Sequence, residues 1–218
     1  MKSINWKYAL GEILIVIIGI TIAFSLNKCS VQKENNQLSE MYLANLTRDL
    51  EQDKKNLEDN LEKIEIKSKK INNITALLGP ESILEGRHNA LIFEVSELEK
   101  FKPNNVTYNT LINSGDFKLI KDFELRKAIE EHYNNTYNTI LSDYLRLENI
   151  HKVYLADYYI YKVDYERFKV NEFVFEDKKL LMNILVSKEG ASQIAKEASI
   201  KGIESCERLL KQINAYKK

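Results

Sequence analysis

Glycine and proline are scarce in this sequence. Its 218 residues include seven Gly and two Pro, about 3% and 1% of the chain, against roughly 7% and 5% in average proteins. All-β sandwiches and barrels need many tight turns, which these two residues usually supply, so the composition disfavours both architectures. A hydrophobic fraction of 44% is sufficient for a packed core. The composition therefore favours a fold built from long helices.

An excess of positive charge is also absent, because 32 Lys and Arg balance 32 Asp and Glu. Nucleic-acid-binding domains carry a basic surface that neutralises phosphates, so no nucleic-acid partner is expected. The sequence has no glycine-rich phosphate loop, no G-x-S-x-G nucleophile elbow and no H-E-x-x-H zinc motif. We therefore predict no catalytic residue and no cofactor, and we expect that the chain is not an enzyme.

One long apolar run lies near the N-terminus. Residues Ile13 to Leu26 are uncharged, and extending this run back to Trp6 gives 21 residues, or about 31 Å of helix at 1.5 Å per residue. That length crosses the hydrocarbon core of a bilayer. We predict a single transmembrane helix that contacts lipid over residues 6–26. The predicted domains are then a short tail and anchor over 1–29 and a helical domain over 30–218.

A cleaved signal peptide is the alternative for this segment. Lys2 and Lys7 would form its basic start, and Ala23-Phe24-Ser25 would form its cleavage site. The length of the apolar run and the presence of Glu12 favour an uncleaved anchor. Basic residues on the two sides are nearly balanced, but the free amino terminus favours an N-terminus inside the cell. The bulk of the chain is then expected to lie outside the cytoplasm.

A contact face is predicted within the anchor. Glu12, Gly19 and Ala23 are spaced to lie on one side of a helix, and Gly19 and Ala23 form a small-xxx-small motif. We predict that this face contacts a second transmembrane helix, from another copy of the chain or from another membrane protein. The alternative for Glu12 is that its carboxylate reaches the lipid headgroups one turn towards the N-terminus.

A seven-residue apolar repeat follows the anchor and predicts a long helix that packs in a bundle. Polar residues at several companion positions make its apolar stripe narrow, and Gly79-Pro80 is predicted to end the helix. A connector then leads to a short helix over Thr107–Asn113, a long helix from the N-cap Asp122 to about Phe168, and two final helices, Lys178–Ser187 and Ala191–Tyr216. The repeat is formed by Leu43, Leu50, Leu57, Ile64, Ile71 and Leu78, with Asp53, Asn60 and Lys67 as the polar companions. The predicted fold class is all-α, with a transmembrane helix followed by an antiparallel bundle of long helices.

Two Glu-x-x-His pairs leave a metal site as an alternative. Glu85 precedes His88 by three residues, and Glu148 precedes His151 by three, which is the spacing found in di-iron carboxylate bundles. A metal-dependent enzyme of the helical-bundle type is therefore the second hypothesis, while surface or core histidines are the simpler interpretation. Cys206 is predicted to be a buried thiol. Cys29, at the membrane edge, could link two copies in an oxidising compartment.

Two segments carry a resemblance to a known family. The opening residues Ile4 to Ile20 (INWKYALGEILIVIIGI) resemble an uncharacterised family of Bacteroidota membrane proteins, a domain of unknown function. The segment Thr107 to Gly115 (TYNTLINSG) is similar to the internal motif of that family, and the matching positions are Thr107, Tyr108, Leu111, Ser114, Gly115, Leu125 and Arg126. The resemblance implies one anchor in a bacterial inner membrane and a helical remainder, and it implies no activity.

These patterns lead to a functional hypothesis without a catalytic step. We expect a membrane-anchored interaction or sensory module that binds a partner protein or a small ligand outside the cytoplasm. The segment before the anchor is too short for a cytoplasmic signalling domain. A sensor of this design would signal through another membrane protein.

Overall fold

The computed structural model describes residues 6–79 and 82–217. Within these residues the chain is helical and contains no β-strand; Val163 and Phe175 form one isolated antiparallel bridge. The first helix, α1 (Trp6–Leu77), has 72 residues and is about 108 Å long. The predicted all-α class is confirmed. The domain boundary predicted after residue 29 falls inside α1, which continues through it without a break.

Four limbs form the bundle, and they alternate in direction. The C-terminal part of α1 is the first limb. The second runs back along it through a 3₁₀ turn (Gly86–His88), α2 (Asn89–Glu94), an irregular stretch, α3 (Val106–Ser114) and a second 3₁₀ turn (Asp116–Leu119). The third consists of α4 (Phe123–Glu130), α5 (Tyr137–Asn149) and α6 (Ala156–Tyr161), joined by π-helical segments Glu131–Thr136 and Ile150–Leu155. A 3₁₀ helix (Tyr165–Val170) leads to the fourth limb, α7 (Lys178–Tyr216).

Contacts along α1 show the direction of the second and fourth limbs. In the second limb, Glu94 pairs with Lys70 near the far end of α1, whereas Asp116 accepts a hydrogen bond from Tyr42 near its middle. In the fourth limb, Lys196 pairs with Glu65, and further along the chain Lys217 donates to Thr47. Both limbs therefore run antiparallel to α1. We call the end of the bundle near Tyr42 the base and the end near Leu77 the tip.

The apolar stripe predicted from the seven-residue repeat forms the core side of α1. The six residues of this repeat are at most 4% exposed. The members near the base pack into a large core cluster with side chains of α3, α5 and α7, and those near the tip pack with α6 and the start of α7. The burial predicted for this stripe is confirmed.

Two predicted helix ends are confirmed. The Asp122 side chain accepts a hydrogen bond of 3.0 Å from the backbone N–H of Leu125, and α4 begins directly after it. Gly115 follows α3 with φ 73° and ψ 14°, the left-handed conformation that glycine adopts most easily. A Cβ on Gly115 would meet no atom within 4 Å, so backbone conformation is what requires glycine here.

We expect Gly115→Val to lower the free energy of unfolding by at least about 1 kcal/mol, because a β-branched residue is strained at positive φ. Gly115→Asn is the matched control, since asparagine tolerates this conformation. Thermal unfolding followed by circular dichroism measures both. Equal melting temperatures for wild type and the valine variant would show that no strain arises at this position. If the valine variant kept its stability but no longer bound a partner molecule, a binding role for this turn would be favoured.

Two predicted helix boundaries are wrong. The third limb leaves the helix at Lys162, and does not continue to Phe168, because Lys162 and Asp164 enter backbone hydrogen bonds with Glu176 and Val174 across the isolated bridge. The two predicted C-terminal helices form one helix, α7. A glycine costs a helix only about 1 kcal/mol, and buried residues on both sides of Gly190 hold α7 together. Pro80 lies outside the described residues, and α1 ends at Leu77.

Candidate functional site

The N-terminal third of α1 has the properties of a membrane span. An 18-residue window of this helix reaches a mean hydropathy of 2.1, and none of the window is buried. Side chains 12–34 are all exposed, so this part of α1 projects beyond the bundle. It is the candidate span within residues 6–79 and 82–217. The apolar surface is thus available for lipid or for another helix.

The predicted contact face lies on this projecting part. Glu12, Gly19 and Ala23 are exposed, and a Cβ on Gly19 would meet no atom within 4 Å. Cys29 is an exposed free thiol one turn beyond the apolar run. The described residues of this single chain therefore leave the face open to a second helix.

The Glu-x-x-His pairs are engaged in local contacts. His88 lies in the first 3₁₀ turn, where its Nδ1 accepts from the backbone N–H of Glu85, and the Glu85 carboxylate pairs with Arg87. Glu148 pairs with Lys152 and lies 3.8 Å from Lys100. Across the described residues, no three His, Cys, Asp or Glu side chains are grouped so as to hold a metal ion.

His151, the histidine of the second pair, lies near the buried Lys188. His151 is on the second π-helical segment, and its Nδ1 is buried without a partner among the described residues. Burial and the nearby Lys188 ammonium lower the pKa of His151. Lys188 is itself 1% exposed and donates to the carbonyl oxygens of Val95 and Glu97; burial lowers its pKa to about 8. The hydrogen bonds of Lys188 fasten α7 to the second limb.

The residues of the family-like motif meet around the turn from α3 to α4. Tyr108 is buried, stacks on Tyr133 with ring centroids 4.6 Å apart, and accepts a hydrogen bond from Asn134. Leu111 and Leu125 are buried, and Arg126 donates to the Ile120 carbonyl at 2.5 Å. The remaining motif positions are Thr107 at the start of α3, and Ser114 and Gly115 at its end. In this structure the motif joins the second and third limbs, because Tyr108 contacts Tyr133 and Asn134.

A buried carboxylate lies at the middle of the bundle. Asp53 on α1 is 0% exposed. Its two oxygens accept from the backbone N–H of Asn104 at 3.0 and 2.9 Å, and from the Asn104 side chain and the Tyr137 hydroxyl at 2.6 Å each. Burial raises the pKa of Asp53 above its ordinary value, although these hydrogen bonds oppose the rise. Asp53 thus holds the irregular second limb and α5 against α1.

The first π-helical segment carries further polar groups into this centre. His132 shares a hydrogen bond of 2.8 Å with Ser205 of α7, and burial lowers its pKa to about 4. Its Nε2 and the hydroxyl of Tyr133 have no partner among the described residues. Cys206 is buried, as predicted, and burial raises the pKa of its thiol to about 12, which disfavours the reactive thiolate at neutral pH. The centre is thus a packed network of polar side chains.

We call Asp53, Asn104, His132, Tyr137 and Ser205 the polar centre. In the sequence, Asp53 is recognisable only as a break in the apolar stripe, and no local pattern marks the other four residues. The spacing of Asp53 within the repeat was the one available signal, because a carboxylate at a core position requires partners. Those partners lie 51 and 84 residues away, beyond the reach of any local pattern.

Tyr137→Phe is expected to lower the free energy of unfolding by about 1–3 kcal/mol, because it removes a donor from a buried carboxylate. Tyr42→Phe is the matched control. The Tyr42 hydroxyl also donates to a carboxylate, at 2.8 Å from Asp116, but Asp116 is partly exposed and water can replace the donor. Chemical denaturation of the two variants should therefore give a clearly larger loss for Tyr137→Phe. Equal losses would show that Asp53 does not depend on this hydroxyl.

No protein-family model, no curated protein and no solved structure matches the chain. The resemblance described for residues 4–20 and 107–126 therefore stays a prediction.

Proposed function

We propose that this chain is a single-pass, membrane-anchored interaction or sensory module with no catalytic step of its own. The observation that carries the proposal is the continuity of α1. One helix includes both the apolar segment and the core stripe of the bundle. A rotation, tilt or shift of the bundle part of α1 would move its apolar part as well, since an uninterrupted helix transmits such movements.

The exposed neck of α1 supports this interpretation. Residues 27–34 are exposed on every side, yet they remain helical between the apolar run and the first buried residues near Ser39. A flexible linker would let the two parts move independently. A helical neck couples them, which suits a module that communicates between the bundle and the membrane.

For location, we propose a bacterial inner membrane with the bundle on the periplasmic side. The apolar segment supports attachment to a membrane, and the resemblance to Bacteroidota membrane proteins supports the compartment. The exposed face of Glu12, Gly19 and Ala23 is the proposed contact with a second copy or with another membrane protein.

The anchor predicts firm membrane attachment. We expect the full chain to remain in the membrane pellet after washing at high pH or high salt, because apolar burial and not surface charge holds it. Immunoblotting of pellet and supernatant measures the result. A mature N-terminus near Phe24 or Leu26, found by mass spectrometry, would instead indicate a cleaved signal peptide.

Site-specific photo-cross-linking in native membranes tests the interaction directly. A small diazirine-bearing residue at Ala23 lies on the proposed contact face, and the same residue at Thr21 is the matched control, because two positions along a helix point about 200° apart. We expect a discrete protein adduct from position 23 and only lipid adducts from position 21. The same pattern of adducts from both positions, or no protein adduct from either, would refute contact through this face.

A further inference from the structure

An open cleft lies at the base of the bundle, where three limbs meet. It has a volume of about 670 Å³ and is bordered by α1 between Asn36 and Ala44, by Leu119 at the end of the second 3₁₀ turn, by Lys121 just after it, and by Tyr216 and Lys217 at the end of α7. Small-molecule sites commonly have volumes of roughly 300–1,000 Å³. The volume therefore suits a ligand of the size of a metabolite.

Two lysines line this cleft, Lys121 and Lys217, and the ammonium group of each donates to a neutral oxygen. The Lys121 Nζ donates to the side-chain oxygen of Asn36, and the Lys217 Nζ donates to the hydroxyl of Thr47, each at 3.3 Å. Bonds of this length are weak compared with charge-assisted bonds to an anion, which are about 2.7–2.9 Å. Both cations can therefore exchange a weak partner for a stronger one.

A buried hydroxyl also borders the cleft. Ser39 is 6% exposed, and its Oγ has no hydrogen-bond partner among the described residues. An unpaired buried hydroxyl costs about 1–3 kcal/mol. Because this oxygen is buried, an acceptor in the cleft would remove that cost only after the Ser39 side chain turns towards the cleft. Leu43, Ala44 and Leu119 supply the apolar part of the lining.

From these features we propose that the cleft binds a small organic anion, with a carboxylate or phosphate head between Lys121 and Lys217 and an apolar body against Leu43 and Leu119. Glu40 lies on the same lining and weakens the binding of an anion by repulsion. The anion connects α1, the second limb and α7 at the point where α1 leaves the bundle. The inference rests on the proposed function, for which it supplies the class of ligand.

The ligand comes from the aqueous phase. Asn36, the residue of the cleft nearest the membrane, lies ten positions after Leu26, which is about 15 Å along a helix. The headgroup layer of one leaflet is only about 5–8 Å thick. A lipid phosphate in the anchoring bilayer therefore lies below the cleft.

Calorimetric titration of the full chain in nanodiscs of neutral phosphatidylcholine tests the proposal, with empty nanodiscs subtracted. The probes are hexanoate, hexan-1-ol as its neutral counterpart, and inorganic phosphate. We expect saturable binding of hexanoate, and weaker binding of the alcohol, which lacks the charge, and of phosphate, which lacks the apolar body. No saturable binding of hexanoate, or equal binding of hexan-1-ol, would overturn the proposal.

Charge variants locate the site. The double variant Lys121→Gln/Lys217→Gln should weaken hexanoate binding at least about tenfold, and Glu40→Gln should strengthen it. Lys63→Gln, at an exposed position further along α1, is the control and should bind as the wild type does. Unchanged affinity in the double variant would overturn the assignment, as would a loss of binding when phosphatidylglycerol is added to the nanodisc.

Ligand binding without a cross-link at Ala23 would contradict only the proposed membrane contact, so the two proposals fail separately.

Discussion

Replacing Leu57 with Asp is expected to unfold the bundle. Leu57 is 0% exposed and lies at the middle of the core stripe of α1. Its side chain packs against α7 at Gly202. The variant loses the buried leucine and places a carboxylate in the core. An unpaired buried charge and a lost core side chain each cost several kcal/mol, so their sum is comparable to the total stability of about 5–15 kcal/mol of a typical domain.

The matched control for this variant is Ile66→Asp. Ile66 is a branched apolar residue on the same helix, but it is 48% exposed, and surface substitutions usually change stability by less than about 0.5 kcal/mol. Both variants are compared by circular dichroism and thermal unfolding of the full chain in detergent. We expect the Leu57 variant to lose its cooperative transition and the Ile66 variant to keep it. A wild-type melting temperature for Leu57→Asp would mean that the stripe is not the core of the bundle.

The burial of Leu57 could be predicted because a seven-residue repeat has one physical cause. An apolar residue at every seventh position of a helix faces the same side, and that side must be removed from water. The apolar run of the anchor was equally accessible, since its length and lack of charge are typical of a membrane span. Fold class, the apolar anchor, the helical repeat that follows it and the caps at Asp122 and Gly115 follow from such local rules, whereas the continuity of α1 through residues 27–35 was not predicted.

The second limb was less predictable because tertiary contacts hold it in place. Between α2 and α3 the chain is irregular, and its polar backbone groups bond to side chains of α1: the Asn104 N–H to Asp53, and the Lys100 carbonyl to the Asn60 amide. Both side chains stood out in the sequence only as polar interruptions of a stripe. Their partners could not be identified, because a hydrogen bond between residues 40 or 51 positions apart leaves no periodic pattern.

The same limit applies to the polar centre and to the cleft at the base. Lys121 lies between the second and third limbs, and Lys217, 96 positions later, directly follows the fourth; only the alternating directions of the four limbs bring them to one cleft. The prediction that the third limb stays helical to about Phe168 was wrong for a related reason. The apolar spacing continues past Tyr161, but the bridge between Val163 and Phe175 provides the backbone with other hydrogen bonds.

Gly202→Val is expected to be the second most damaging change. Gly202 lies in the middle of α7 and is buried, and a Cβ added there would meet the Cδ1 atoms of Leu57 and Ile140, each at 2.7 Å. Both neighbours are at most 1% exposed, so their displaced methyl groups must be accommodated inside the packed core. In a helix, valine has one strongly preferred rotamer and cannot turn its methyl groups away. Overpacking of this kind costs typically about 1–3 kcal/mol for extra methylenes, and separating the helices costs more.

Gly190→Val on the same helix is the matched control. Gly190 is exposed, and a Cβ there would meet no atom within 4 Å. Valine is slightly more favourable than glycine inside a helix, so we expect Gly190→Val to leave the melting temperature unchanged or to raise it slightly. The two variants make the same chemical change in one helix, and we expect a loss of stability, of about 1–3 kcal/mol, only at position 202. Similar melting temperatures for both would show that α7 does not pack against Leu57 and Ile140 at this distance, and would refute the close contact between α1, α5 and α7 from which the bundle is built.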